Sequence, residues 1–208
     1  MGEFYHIYNR GNSKQVIFLD DEDSNRFVNL LFLANGENNF NYFNLARDAT
    51  IYDFERGKNL VHIAAYCLMP NHFHLLITPA EEGGVSKFMQ KLTTGYVMYF
   101  NEKYKRSGGL FEGKFKSQHA ENDNHLKYLF SYIHLNPVKL KEPKWKEEGL
   151  KNKKDSLKFL GEYDFSSYKD YQGEERRKIR IINREPFPDY FPVPEAFASE
   201  ILEWITYV

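Results

Sequence analysis

Two apolar runs, Val61 to Met69 and His72 to Thr78, are separated only by Pro70-Asn71. Nothing else in the 208 residues limits the fold as much. Each run reads as a strand with at least one buried face. The segments around them are helical in period. Acidic residues Asp20 to Asp23 precede Phe27, Leu30, Leu31 and Ala34 at helical spacing, with Gly36 suited to the end. Val85 to Tyr104 places Val85, Phe88, Met89, Leu92, Tyr96, Tyr99 and Phe100 on one stripe, and Ser107-Gly108-Gly109 ends it. Asp123 to Leu135 carries Leu126, Leu129, Phe130 and Ile133 on its apolar face, and Pro137 stops it. Phe4 to Asn9 alternates aromatic and polar residues as a strand does, broken at Arg10-Gly11-Asn12-Ser13, and Leu110 to His119 reads as another strand. Residues 35–59, rich in Asn and aromatics, have no clear period and read as a loop or a short hairpin.

The order strand, helix, strand, strand, helix, strand, helix resembles an α+β fold with a ferredoxin-like split βαβ core. An antiparallel sheet with helices on one face is expected, plus a C-terminal helix. Residues 1–138 are expected to form the main domain, with 139–208 an extension packed on or near it. The extension opens with eight Lys and four acids over 139–158 and later carries Pro186, Pro188, Pro192 and Pro194. A short final helix is expected from Pro194 to Ile205.

Composition excludes several classes. Cys67 is the single cysteine, so an intrachain disulfide and a multi-thiolate zinc site are ruled out. No apolar window is long enough to span a membrane, and the N-terminus lacks a signal-peptide pattern. A cytoplasmic, nucleoid-associated protein is expected. Net charge is −1, from 28 basic and 29 acidic side chains, so bulk charge identifies no partner. Locally the balance differs, because 86–118 holds seven Lys or Arg and two acids.

His72-Phe73-His74 is the sharpest motif. On a strand, positions i and i+2 share a face, so two imidazoles stand side by side while Phe73 points to the other face. Two ligands are too few for a divalent cation, and a third must come from elsewhere. Tyr132 and Asn136 are i and i+4, one above the other on a helix. That spacing lets Asn136 offer a carbonyl oxygen while Tyr132 reaches a group bound to the metal. Tyr128, one turn earlier, competes with Tyr132 on the same geometry, and 15 tyrosines make any single one ambiguous.

The string Cys67-Leu68-Met69-Pro70-Asn71-His72-Phe73-His74-Leu75-Leu76 resembles that of the single-tyrosine HUH transposases, the IS200-like superfamily, and most nearly their REP-associated branch. Tyr5 to Asn12, Gly109 to Ser117, Tyr132 to Val138 and Phe165 to Tyr171 match further strings of that branch in the same order. The resemblance implies that Tyr132 is the nucleophile and that His72, His74 and Asn136 bind Mg²⁺ or Mn²⁺. It further implies cleavage of single-stranded DNA beside a hairpin through a 5′-phosphotyrosine link, followed by rejoining. The link retains the phosphodiester energy, consistent with the absence of a G-x-x-x-x-G-K-[ST] loop.

DNA contacts are expected from Arg10, Lys14, Lys87, Lys91, Phe111, Lys114 and Lys116, cations tracking phosphates with aromatics stacking on bases. His6 is a further residue expected to line the site. His119, His125 and His134 read as surface groups. The partner is single-stranded or hairpin DNA, and the resemblance allows a monomer or a homodimer. The alternative reading is a non-catalytic or domesticated nucleic-acid-binding protein on the same fold; an inactivated relative would show a lost His or Tyr, whereas all four are present. An RNA phosphoesterase with two H-x-[ST] or H-x-H motifs fits less well, since 72–74 is the one such tripeptide. A relaxase or replication initiator fits the motif order less well than a transposase does.

Overall fold

A computed structural model describes residues 3–47 and 51–203. Its centre is an antiparallel sheet of β1 (Tyr5–Arg10), β2 (Val61–Met69), β3 (His72–Pro79) and β4 (Lys116–His119), in the order β2-β3-β1-β4. That order is the split βαβ arrangement expected from the sequence. The helices are α1 (Asp21–Leu33), α2 (Tyr42–Arg47), α3 (Gly84–Lys103), α4 (Asp123–Leu135), α5 (Trp145–Glu148), α6 (Lys153–Glu162), α7 (Tyr168–Tyr171) and α8 (Pro194–Glu203). The end of the expected last helix, beyond Glu203, lies outside the described residues.

The sheet separates two cores. Ile7, Phe73, Leu75 and Ile77 point to one side, against Phe27 and Leu31 of α1 and Phe88, Met89 and Leu92 of α3. Ala65, Cys67 and Leu76 point to the other side, against Leu126, Leu129 and Ile133 of α4. In β2 the pairing with β3 shifts between Ile63 and Ala65, so Ala64 and Ala65 both join the α4 core. A bulge of this kind restores the register after one extra residue. The second core continues into the extension through Trp145, Leu160, Tyr168, Tyr171, Phe187, Phe191, Phe197 and Ile201.

Local signals explain the boundaries. Asp20 caps α1, its carboxylate accepting from the Asp23 amide at 2.9 Å, and Asn122 caps α4 by accepting from the His125 amide at 2.9 Å. Pro137 ends the α4 hydrogen-bond ladder, and the chain continues through Asn136–Leu140 as a 3₁₀ turn. The expected strand Leu110 to His119 shortens to four residues. Gly113, with φ of 81°, turns the chain out of extended conformation, and Phe111 keeps only an isolated bridge to Gly11. The unpatterned stretch 35–59 holds α2 and a 3₁₀ turn at Ile51–Asp53.

Candidate functional site

Strand alternation and register assemble the site. Tyr8 stands opposite His74 and Arg10 opposite His72, so His6, Tyr8, His72 and His74 share the face that α4 covers. Phe73 goes to the opposite side, buried with its ring tilted against Phe27 and edge-on to Phe111. The His72 and His74 ring centroids are 5.0 Å apart, and His74 lies 5.5 Å from the Tyr132 ring. Asn136 keeps helical angles (φ −54°, ψ −40°) past the end of α4, so its i, i+4 relation to Tyr132 survives Pro137.

His72, His74, Tyr132 and Asn136 line one cavity of about 140 Å³ with Lys139, Pro143, Trp145, Lys146 and Glu147. Three of the histidines here are disfavoured as cations. Burial lowers His6 and His72 to about 4 and holds His74 well below the usual imidazole range. Neutral imidazoles are the form that ligates a metal. His6 Nε2 and His74 Nδ1 share a hydrogen bond of 2.8 Å, while His74 Nε2 is buried with no partner. The Nδ1 of His72 is 2.6 Å from Asn71 Oδ1.

Burial pushes the Tyr132 phenol up. Asn136 works in the opposite direction: its buried Nδ2 has no partner beside the neutral phenol and favours the ionised one. The Lys146 ammonium sits 3.8 Å from the centroid of the Tyr132 ring. The Tyr128 ring stacks on Tyr132 at 5.9 Å, and Tyr128 is absent from the cavity lining, so the structure separates the two on position.

The donors present suit a divalent cation that takes two imidazole nitrogens and one amide oxygen. The orphaned His74 Nε2 is the observation that favours such an occupant. Among the described residues, no group of three or more His, Cys, Asp or Glu is arranged to hold a metal. A cation held here by both imidazoles would take a third protein donor from Asn136.

A second, larger hollow of about 800 Å³ adjoins His72 and is lined by Tyr8, Arg10, Lys14, Val16, Lys116 and Lys139, among others. Tyr8, Val16 and Leu140 are exposed apolar groups in this cationic groove. Arg10, Lys14 and Lys116 of the expected DNA contacts are brought together here. Arg10 is also paired with Glu112 at 2.5 Å. Lys114 is exposed on the turn before β4 but does not line the groove.

The remaining expected contacts lie elsewhere. Lys87 and Lys91 are on α3, beyond the opposite face of the sheet. Lys87 pairs with Glu81 at 2.7 Å, and Lys91 bonds the Gly36 carbonyl. Phe111 is partly buried against Phe73 and Tyr96 rather than presented to a ligand. The same basic stretch also includes Lys103, which is bound by Asp20, Glu22 and Asp23. On α3, Lys87 and Lys103 are thus neutralised within the protein.

His134, expected at the surface, is fully buried, with Nδ1 2.8 Å from the Phe130 carbonyl and Nε2 2.7 Å from Ser167 Oγ. The extension covers that side of α4, which helical period alone did not reveal. His119 is exposed beside Glu3, as expected, and His125 is half-buried, its Nδ1 accepting from the Glu121 amide. Sequence reasoning missed Lys139 and Lys146, whose only signal was membership of a lysine-rich segment. It also missed Tyr8, although Tyr8 alternates with His6 on β1.

A split βαβ sheet that offers paired histidines to a helix-borne tyrosine defines a class of α+β protein. Residues 49–136, ending at Asn136, match the family model described as Transposase IS200 like. The resemblance to IS200-like transposases is thus shown across the span that holds His72, His74, Tyr132 and Asn136. A solved structure of a REP-associated tyrosine transposase bound to a REP hairpin is also similar, with 14% identity and a TM-score of 0.48. That similarity covers 85% of this chain and 84% of the other. No curated protein matches the chain. Among the described residues no helix is long and apolar enough to cross a membrane.

Proposed function

We propose that the chain is a metal-dependent endonuclease and strand transferase for single-stranded DNA beside a hairpin, with Tyr132 as its nucleophile. One observation carries the reading: the His72 and His74 pair and the Tyr132 and Asn136 pair, far apart from each other in sequence, line a single cavity. His72, His74 and Asn136 would hold Mg²⁺ or Mn²⁺, which when bound would supply Lewis-acid polarisation of the scissile phosphate.

The chain's own groups do the rest. Tyr132 Oη attacks phosphorus, the bond from phosphorus to the 3′ oxygen breaks, and the products are a 5′-phosphotyrosine and a 3′-hydroxyl. A free phenol has a pKa of ~10, so the nucleophile needs help to ionise. Asn136 Nδ2 and the Lys146 ammonium both favour phenolate. Attack by a 3′-hydroxyl on the phosphotyrosine reverses the step and rejoins strands without an external energy source. The groove of Arg10, Lys14, Lys116 and Lys139 takes phosphates, and Tyr8 offers a ring on which a base stacks.

The test is incubation with short single-stranded hairpin DNAs and Mn²⁺, followed by a denaturing gel. A protein–DNA adduct is expected in the wild type and none in Tyr132→Phe. An adduct that persists in Tyr132→Phe, or cleavage undiminished in excess chelator, overturns the reading.

A further inference from the structure

The two histidines each turn Nδ1 toward a protein partner, and both line the cavity. For His72 the proton position follows from a chain of bonds. The Asn71 Nδ2 donates to the Lys14 carbonyl at 3.2 Å. That donation fixes the amide so that Oδ1 faces His72 Nδ1 at 2.6 Å. An oxygen can only accept, so His72 Nδ1 carries the proton and Nε2 keeps its lone pair.

The Lys14 carbonyl is held in place by an unusual loop. Ser13 and Lys14 have φ of 52° and 60°, a conformation that costs non-glycine residues energy. The loop is pinned to the 70–71 turn by Gly11 N donating to the Asn71 carbonyl and by Ile17 N and Phe18 N donating to the Pro70 carbonyl. Gly11 cannot be replaced, because a Cβ there would stand 2.3 Å from the Gln15 carbonyl oxygen.

For His74 the partner is His6, at 2.8 Å from Nδ1. The other nitrogen, Nε2, is buried and unpartnered. A buried N–H without an acceptor is the rarer orphan in folded proteins, so the lone pair belongs on Nε2 and the proton on Nδ1. His6 Nε2 is then the acceptor. Its ring stacks on His74 with centroids 5.0 Å apart, so orientation and tautomer are set together.

We infer that His6 and Asn71 are positioning residues that fix His74 and His72 as Nδ1–H tautomers, aiming both Nε2 lone pairs at a shared divalent cation. This rests on the proposed metal-dependent reading. The physical gain is that the ligands need no tautomer change or ring rotation when the cation arrives.

The test uses the full chain without DNA. Long-range ¹⁵N–¹H correlation spectra report which ring nitrogen is protonated, and Mn²⁺ electron paramagnetic resonance reports affinity. The wild type should show Nδ1–H for both His72 and His74. His6→Phe keeps a ring but no acceptor, and Asn71→Leu removes the amide. Each should release its histidine to a mixed tautomer and weaken Mn²⁺ binding about 10- to 100-fold. His6→Gln and Asn71→Asp restore an acceptor and should recover most of that loss. Thermal melting checks that each variant is folded; where Asn71→Leu is not, Asn71→Asp and the His6 pair carry the test.

Nε2–H on either histidine in the wild type overturns the inference, as does wild-type Mn²⁺ affinity in folded His6→Phe. Absence of Mn²⁺ binding by a wild type with Nδ1–H on both histidines overturns the metal-dependent reading and, with it, the role assigned to the two lone pairs. The tautomer assignment itself then stands, so the two failures are distinguishable.

Discussion

Alternate residues of β3 build two faces with opposite demands. Phe73, Leu75 and Ile77 enter a dry core against α1 and α3 and are saturated by contact with apolar neighbours. His72 and His74 enter the other face, under α4, where His74 keeps a buried nitrogen unpaired. The α4 helix repeats the contrast. Its His134 is as buried as His74, yet both its ring nitrogens have partners. Burial alone therefore does not mark a functional histidine; burial with an unmet hydrogen bond, facing a cavity, does.

The sharpest way to break this contrast is one substitution on each face. Tyr132→Phe should abolish the DNA adduct while changing folding stability by less than about 1 kcal/mol, since it removes one hydroxyl at a partly exposed position. Phe73→Ala should do the reverse. It leaves the histidines and tyrosine in place but empties a buried ring site, at a cost of about 3–5 kcal/mol by urea unfolding. If Phe73→Ala is as stable as wild type, the dry core is not where the fold's stability resides.

Next in size is a pairing within the extension that also reaches the Tyr66 hydroxyl of β2. The Arg176 guanidinium bonds the fully buried Asp170 carboxylate at 2.5 Å and also bonds the Ser166 carbonyl. Asp170→Ala leaves that cation with little solvent and without its bonded carboxylate. A loss of about 3–5 kcal/mol is expected in urea unfolding. Unchanged stability would mean that this part of the extension is not fastened through the pair.

The histidines also set a pH signature. Folding lowers His6 and His72 to about 4 and His134 to about 3, from an unfolded value near 6.5. The folded groups are the poorer proton acceptors, so the unfolded chain binds more protons as acid is added. Stability contributed by these groups is intact above pH 6.5 and falls as the pH drops toward 4, and toward 3 for His134. Each group adds a slope of about 1.4 kcal/mol per pH unit in that window. Saturating Mn²⁺ should raise stability by a near-constant amount above pH 4, where the folded His72 and His74 are already neutral, and leave the His134 share untouched. Urea midpoints from pH 4 to 8, with and without Mn²⁺, measure both. A flat profile in that window would contradict the burial of neutral imidazoles.

These contrasts also show what the sequence could reveal. Strand alternation put His72 and His74 on one face and Phe73 on the other, and helical spacing joined Tyr132 to Asn136. Both are local periodicities, and both survive in the structure. The burial of His134 was not legible, because the Phe187, Phe191 and Phe197 side chains that cover α4 arrive from more than 50 residues away. Counting charge failed for a related reason. Lys87, Lys91 and Lys103 are close in sequence to the site elements, yet α3 carries them to the far face and gives them protein partners. Lys146 lies in a stretch of lysines that looked like a solvated surface, and only tertiary packing singles it out.

Lys146 gives the smallest predicted effect and the finest test of the α4 face. Its ammonium lies over the Tyr132 ring at 3.8 Å, and burial together with Lys139 pushes it below its usual value. A cation at that distance favours phenolate over phenol, by about 1–2 kcal/mol at a partly desolvated site. Lys146→Met keeps the length and apolar stem but removes the charge, so adduct formation near pH 7 should fall about tenfold. Because the loss comes from a harder ionisation of Tyr132, raising the pH should restore the rate, and the variant and wild-type profiles should converge on the alkaline side. Lys146→Arg keeps the charge and should hold most of the activity. A tenfold loss independent of pH would instead place the ammonium on the DNA phosphate, and equal rates for Lys146→Met and wild type would leave Asn136 as the group that lowers the barrier to ionisation.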